Sequence, residues 1–327
     1  MITALIIASA LLILFLILSL LSGYYMYRLA CVRKGKPTSA WEDDATFAKG
    51  DKFYEEFSDE IKAKRRRLRE LASADNALRL TVKSYDGLTL SARLIPTPCE
   101  RSRGIIASFH GYRSEPSVDF GASSVDFLES GFSLLLVDQR AHGLSEGRHI
   151  TFGVKERYDV ISWCTLLKEM FPESPVILDG LSMGASTVMM SCALGLPSNV
   201  RAAIADCGYT TPKDICTKVL TTDMRLPRFP IFHAATLVTR IFAGYRFDEA
   251  SAPESLKGST LPTLIVHGTA DKFVPFEMGL ENSRAGGENI SFLSVENAGH
   301  GLSYLVDKDS YDASLDKLFR QAGIPDA

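Results

Sequence analysis

The sequence predicts an α/β protein. It should have a mostly parallel sheet with helices on both faces and a short helical cap, preceded by an N-terminal transmembrane helix. Three observations predict it. Between residues 104 and 295, unbroken apolar runs alternate with helical stretches, the pattern of strands buried on both faces. More than fifty residues, apolar yet broken by prolines, separate the run that ends at Asp206 from the one that begins at Thr263; a simple crossover needs far fewer, so about 207–259 reads as a cap laid over the strand ends. From Met1 to Tyr27 there is no charged side chain.

The N-terminal segment (1–27) is read as a transmembrane anchor, since about 20 apolar residues at ~1.5 Å rise span a hydrocarbon core of ~30 Å. Tyr24, Tyr25 and Tyr27 sit where an interface is expected, and Arg28, Arg33, Lys34 and Lys36 follow. A cleaved signal peptide would carry a positive n-region, an apolar stretch of only ~7–15 residues and a small-x-small site; the segment has none of these in convincing form. Cys31 is a poor lipid-attachment site because Arg28 stands where an apolar residue is wanted. With all basic residues C-terminal to the span, the positive-inside rule places the main domain on the cytoplasmic face.

Residues 28–78 read as a linker and an amphipathic helix. "KGKPTSAWEDD" is polar and holds turn formers, and over 45–73 Phe53, Phe57, Ile61, Leu68 and Leu71 recur near helical spacing. The basic run "KAKRRRLR" (62–69) fits a solvated helix face better than a lipid-binding patch. From residue 79 to 327 the chain reads as one α/β domain. "LRLTVKSYDGLTLSARLI" alternates on both sides of Asp86-Gly87, a two-residue hairpin signal. The strand-like runs are "GIIASF" (104–109), "FSLLLVD" (132–138), "VILDG" (176–180), "AAIAD" (202–206), "TLIVHG" (263–268) and "ISFLSV" (290–295).

The 327 residues are 46% hydrophobic with a net charge of −3. That is enough apolar material for one sizeable core, and too little basic excess for a nucleic-acid partner. The six cysteines (Cys31, Cys99, Cys164, Cys192, Cys207, Cys216) form no C-x-x-C pair. Their scatter favours a reducing compartment and no metal site.

Two pentapeptides fit G-x-S-x-G: Gly143–Gly147 around Ser145 and Gly180–Gly184 around Ser182. A nucleophile elbow needs a strand, a sharp turn and a helix that starts at once. "VILDG" before Ser182 is a strand, and "SMGASTVMMSCALGL" is a helix rich in small residues. Four residues, Gln139 to His142, part Gly143 from its strand, and "EGRHITFG" behind Ser145 is a loop whose helix should start near Thr151. Ser182 is therefore the candidate nucleophile. In the order Ser…Asp…His, Asp271 just past a strand and His300 after the next one complete the set, with Asp206 as the alternative acid. His110, His142, His149, His233 and His267 precede Asp271, which disfavours them as the base; His110 and His267 close strands and read as structural. The oxyanion donors expected are the backbone N–H groups of Met183 and Tyr112, and the Tyr112 side chain either lines the acyl pocket or packs.

"FHGY", "VDQRAHGLSEG", "DGLSMG", "VHGTAD" and "AGHG", in this order, resemble the α/β-hydrolase superfamily over about residues 79–323. The nearest branch is that of serine aminopeptidase-type and monoacylglycerol-lipase-like hydrolases, which includes membrane-anchored members. The resemblance implies the α/β-hydrolase fold, nucleophile, acid and base roles for Ser182, Asp271 and His300, and a structural role for the loop Asp138–Gly147. The sequence departs from the HGGG-type oxyanion loop of many lipases, with only Gly111 after His110. The expected activity is hydrolysis of a carboxylic ester, apolar or lipid-derived, through an acyl-enzyme on Ser182, with no cofactor or metal. An aminopeptidase or amidase of the same fold, or a catalytically idle membrane-tethered interaction module, are the alternatives.

Overall fold

The computed structural model describes residues 1–35, 37–39, 41 and 59–325. Helix α1 (Ile2–Cys31) is followed by α2 (Asp59–Ser73); the helical reading of 45–58, with Phe53 and Phe57, and the basic residue Lys36 lie outside the described residues. In α2, Leu68 and Ala72 are buried, four residues apart on one face.

One eight-stranded sheet organises the domain. Its strands are β1 (Leu78–Lys83), β2 (Thr89–Ile95), β3 (Gly104–Phe109), β4 (Phe132–Asp138), β5 (Val176–Leu181), β6 (Val200–Asp206), β7 (Thr263–Gly268) and β8 (Ile290–Val295), in the spatial order β1-β2-β4-β3-β5-β6-β7-β8. β1 and β2 pair antiparallel, as do β2 and β4, and every other neighbouring pair is parallel. Every residue of β3 and β7 is buried, as the continuous apolar runs require. The hairpin loops out Tyr85–Gly87 instead of a two-residue turn, because Leu88 N–H donates to the Ser84 hydroxyl at 2.9 Å and Gly87 adopts φ 89°.

Short helices α3 (Pro116–Asp119) and α4 (Ser124–Glu129) connect β3 to β4, and α5 (Glu156–Met170) connects β4 to β5. The helix expected from near Thr151 begins only at Glu156. Phe152 and Gly153 have positive φ there, and the buried Glu156 carboxylate accepts the amides of Thr151 (2.8 Å) and Gly153 (2.9 Å), closing a turn in place of a first helical turn. α6 (Met183–Ser191) follows β5. Trp163, Cys164 and Leu167 of α5 and Val188 of α6 cover one face of the sheet; Leu68 of α2, Leu128 of α4, and Leu318 and Phe319 of α12 (Lys308–Gln321) cover the other.

Between β6 and β7 lie α7 (Pro212–Lys218), a π-type turn (Val219–Asp223), α8 (Ile231–Ala243) and α9 (Ala252–Lys257), in the stretch expected to form a cap. α10 (Phe276–Ala285) and the single turn α11 (Ser303–Val306) complete the domain. Over its best 18-residue window α1 has a mean hydropathy of 3.1, and that stretch is almost wholly exposed. Its last turns are not: Gly23, Tyr27 and Cys31 are buried against the domain.

Candidate active site

Ser182 sits between the last residue of β5 and the first of α6, at φ 56° and ψ −115°. A non-glycine residue held there is strained, and the surrounding packing has to impose it. Gly184 makes the turn possible, because a Cβ on it would lie 1.7 Å from the Phe109 carbonyl oxygen. A Cβ on Gly180 would likewise lie 2.5 Å from the Gly184 carbonyl carbon. Ser182 N–H donates to Asp206 O at 2.9 Å, which ties the turn to β6.

The hydroxyl of Ser182 lies 2.9 Å from His300 Nε2, and His300 Nδ1 lies 2.7 Å from Asp271 Oδ2. The tautomer that fits carries its proton on Nδ1, leaving the Nε2 lone pair to accept from the serine. Asp271 is fixed by its own loop: Oδ1 accepts Phe273 N–H at 2.8 Å and Val274 N–H at 2.9 Å. His267 Nε2, which bonds Val274 O at 3.0 Å, stands 3.5 Å from Asp271 Oδ2. Burial opposes charge on Asp271, but the hydrogen bonds from His267 and His300 outweigh it and hold the carboxyl well below its ordinary range. An ionised carboxylate behind an imidazole that faces a serine hydroxyl can orient the ring and stabilise its protonated form.

Asp206 is placed otherwise. Its carboxyl accepts the Ser303 hydroxyl at 3.1 Å, and burial pushes its pKa up to about 6. The Cys207 thiol, Asp271 and His300 bring ligand atoms within 4.8 Å of one another. Both His300 nitrogens are already engaged, and burial raises the Cys207 pKa well above its ordinary value, so the three are a poor ligand set for a metal.

The loop after β3 lies against the serine, where a Cβ on Gly111 would come 3.3 Å from Ser182 Cβ. Of three consecutive amides, Gly111 N–H is taken by Asp119 Oδ2 at 2.5 Å and Arg113 N–H by His142 Nε2 at 3.0 Å. Tyr112 N–H between them, and Met183 N–H at the start of α6, have no acceptor among the described residues. These are the two amides singled out by sequence. Asp119 and His142, which clamp the loop, were not; an acid eight residues down the chain gives no local signal. His110 and His142 are fully buried, and desolvation keeps both neutral, His110 with a pKa of about 4. His110 Nε2 accepts Gln139 N–H at 3.2 Å, a backbone tie as expected. His149 lies 2.8 Å from the Tyr27 hydroxyl, and His233 is exposed on α8.

Above Ser182 and Met183 is a cavity of about 190 Å³, walled by α1, the β3 loop, the π-type turn and α8. Its lining among the described residues, from Met26 to Phe273, includes no charged side chain. Tyr112 lines it and also packs, stacking on Phe152 at 5.3 Å. Ser145 is elsewhere: its hydroxyl accepts Ser91 N–H at 2.8 Å and donates to Asp138 O at 2.5 Å.

Residues 100–256 match the family model described as serine aminopeptidase, S33. The chain is 28% identical over 196 residues to the uncharacterized protein YqkD of Bacillus subtilis, a match that spans 59% of this chain and 63% of that protein. In fold it is similar to the esterase Pf2001 of Pyrococcus furiosus (TM-score 0.59, 20% identity, 75% of this chain and 91% of that one). It is also similar to the esterase RhEst1 of Rhodococcus sp. ECU1013 (TM-score 0.54, 18% identity, 75% and 99%).

Proposed function

We propose that this chain, which has the α/β-hydrolase fold and whose residues 100–256 match the serine aminopeptidase family model, is a serine hydrolase cleaving carboxylic esters with an apolar acyl group. The observation that carries the reading is the chain of contacts from Ser182 through His300 to Asp271, at the floor of a cavity without charged walls. In the proposed reaction His300 Nε2 takes the Ser182 proton as Oγ attacks the ester carbonyl. Asp271 holds the resulting imidazolium. The N–H groups of Met183 and Tyr112 receive the oxyanion, helped by the partial positive charge at the start of α6. The imidazolium then protonates the leaving alkoxide, and a water activated by the same histidine releases the acid and regenerates Ser182.

An aminopeptidase has to hold the substrate's α-ammonium group, and a buried cation without a carboxylate partner is costly. The cavity lining among the described residues offers no such carboxylate, which favours the ester. An idle fold would have no need to keep Ser182 in a strained turn while both ring nitrogens of His300 are aligned. The apolar exposed stretch of α1 supports membrane attachment, and Arg28, Arg33 and Lys34 at its C-terminal end support a cytoplasmic domain. Protease digestion of intact cells tests that orientation; cleavage from outside would overturn it.

A fluorophosphonate probe, read beside p-nitrophenyl esters and amino-acid anilides, tests the activity. Wild type should label and turn over esters faster than anilides, and Ser182→Ala should do neither. Equal labelling of both proteins would sink the assignment of Ser182.

A further inference from the structure

The end of α1 is built into the domain. Ser19, Gly23, Tyr27 and Cys31 form one buried stripe at four-residue spacing. A Cβ on Gly23 would lie 2.5 Å from the Ala234 carbonyl carbon, so α1 and α8 touch backbone to backbone. The contact is long and parallel: Phe15 meets Phe229 (ring centroids 6.3 Å apart), Tyr27 meets Phe242 (5.7 Å), and Cys31 Sγ meets the Tyr245 hydroxyl (3.4 Å). Two of the last carbonyls of the helix, which have no partners within it, are taken by the loop after β3, and the Cys31 carbonyl by Ile150 N–H at 2.8 Å. Tyr112 Oη donates to Ala30 O at 2.8 Å, and the Arg113 guanidinium donates to Leu29 O at 2.8 Å and Val32 O at 2.9 Å. The residue whose amide is the candidate oxyanion donor therefore holds α1 with its side chain. Past the helix, Arg33 donates to Ser145 O and Gly143 O.

Met26, Tyr27, Ala30 and Cys31 consequently line the same cavity as Ser182. The hydroxyls of Tyr27, Tyr112, Tyr209 and Tyr245 all have protein partners. No free polar group in the α1 wall is left to recognise a polar substituent, and hydrocarbon fits that wall best.

We propose that the last two turns of α1 are a specificity-determining wall of the substrate pocket, and that the site takes esters of an extended apolar acyl chain whose length is gauged by Met26 and Ala30. The proposal rests on the reading of Ser182 as nucleophile. It also makes the end of the helix a retained part of the working protein, since cleavage after Val32 would remove one side of the cavity and strip Tyr112, Arg113, Tyr245 and His149 of their partners.

The test uses the full chain in detergent micelles with p-nitrophenyl esters from acetate to myristate. Ala30→Trp should move the preferred acyl length down by several carbons and lower the long-to-short ratio of kcat/KM at least about tenfold, within the range a methylene-scale change in a hydrophobic pocket commands. Met26→Ala should move the preference up. Leu12→Trp, on the exposed half of α1, should keep the wild-type profile. Should Ala30→Trp fail to fold, Met26→Ala decides. Wild-type profiles in both wall variants, with esters still turned over, would overturn the proposal alone. Failure of wild type to take the fluorophosphonate or turn over any ester would overturn the hydrolase reading and this one with it.

Discussion

The hydroxyl of Ser145 accepts the amide of Ser91, 54 residues earlier, at 2.8 Å, and donates to the carbonyl of Asp138 at 2.5 Å. It cross-links β2, the end of β4 and the loop that Arg33 grips. Ser145→Ala should keep fluorophosphonate labelling and most ester turnover but lose about 1–3 kcal/mol of stability, the cost of a buried amide left without its acceptor, seen as a lower denaturation midpoint. Ser182→Ala should show the reverse, with turnover down by about 10³-fold or more and the midpoint close to wild type or higher, because a strained position is relieved of nothing it needs for folding. Loss of labelling in Ser145→Ala would overturn the division of labour.

The two candidate acids separate cleanly by variant. Asp271→Asn keeps the acceptor for Phe273 and Val274 N–H but removes the charge and the proton acceptor that hold His300 in its tautomer. Its kcat should fall by about 10⁴-fold. Asp206→Asn retains an acceptor for Ser303 and should stay within about tenfold of wild type. Steady-state kinetics with a short-chain ester distinguishes them; a larger loss in Asp206→Asn would restore it as the acid.

Asp119 accepts both Gly111 N–H and the Ser114 hydroxyl, each at 2.5 Å, and so aims the loop that carries Tyr112 N–H. Asp119→Ala should lower kcat by about 10–100-fold with little change in KM, because a misaligned oxyanion donor weakens the transition state more than the bound substrate. Asp119→Asn, which can still accept, should recover much of the loss. A variant in which KM alone changed would place Asp119 outside this role.

Asp179, in β5 beneath the serine turn, is buried, and among the described residues the only hydrogen-bond partner of its side chain is the Ser108 hydroxyl, at 3.3 Å. Desolvation pushes its pKa up to about 7. A carboxyl whose folded pKa stands above its unfolded one stabilises the fold while protonated. That contribution is full below about pH 4 and is lost as pH rises through about 7. The contribution of Asp179 should therefore be lost between about pH 5 and about pH 8, so that the stability of wild type relative to Asp179→Asn should fall by up to roughly 3 kcal/mol across that range. Asp119 and Asp206, both raised to about 6, keep part of the slope in the variant. Denaturant melts at the two pH values check this; parallel pH profiles would show that Asp179 does not titrate with folding.

Much of this was legible because strands buried on both faces leave an unmistakable trace. β3, β4, β7 and β8 occupy the same residues as the apolar runs that announced them. The turn at Ser182 was legible for a related reason: Gly180 and Gly184 are required by contacts with the neighbouring backbone, and such contacts leave glycines in the sequence. The start of α5 was not, since Glu156 bends the preceding residues through side-chain bonds that no periodicity records. Nor were the loop clamps of Asp119 and His142, or the docking of α1 on α8. An all-apolar helix has no patterned face to show which side meets protein, and Gly23 marks its contact only once Ala234 is known to lie opposite.

α1 precedes the whole domain in the sequence, yet the groups that hold its end, His149 and Tyr245, come 122 and 214 residues after their partners Tyr27 and Cys31. Contacts that distant in sequence close late, because the loop entropy has to be met before they contribute anything. The sheet and its strained serine turn can thus form as a unit while the first helix is still undocked. Turnover then reports a later event than secondary structure does: on warming, ester hydrolysis should fade before the far-ultraviolet signal of the sheet. The serine turn should be set with the sheet, and the wall that α1 adds to the cavity finished later.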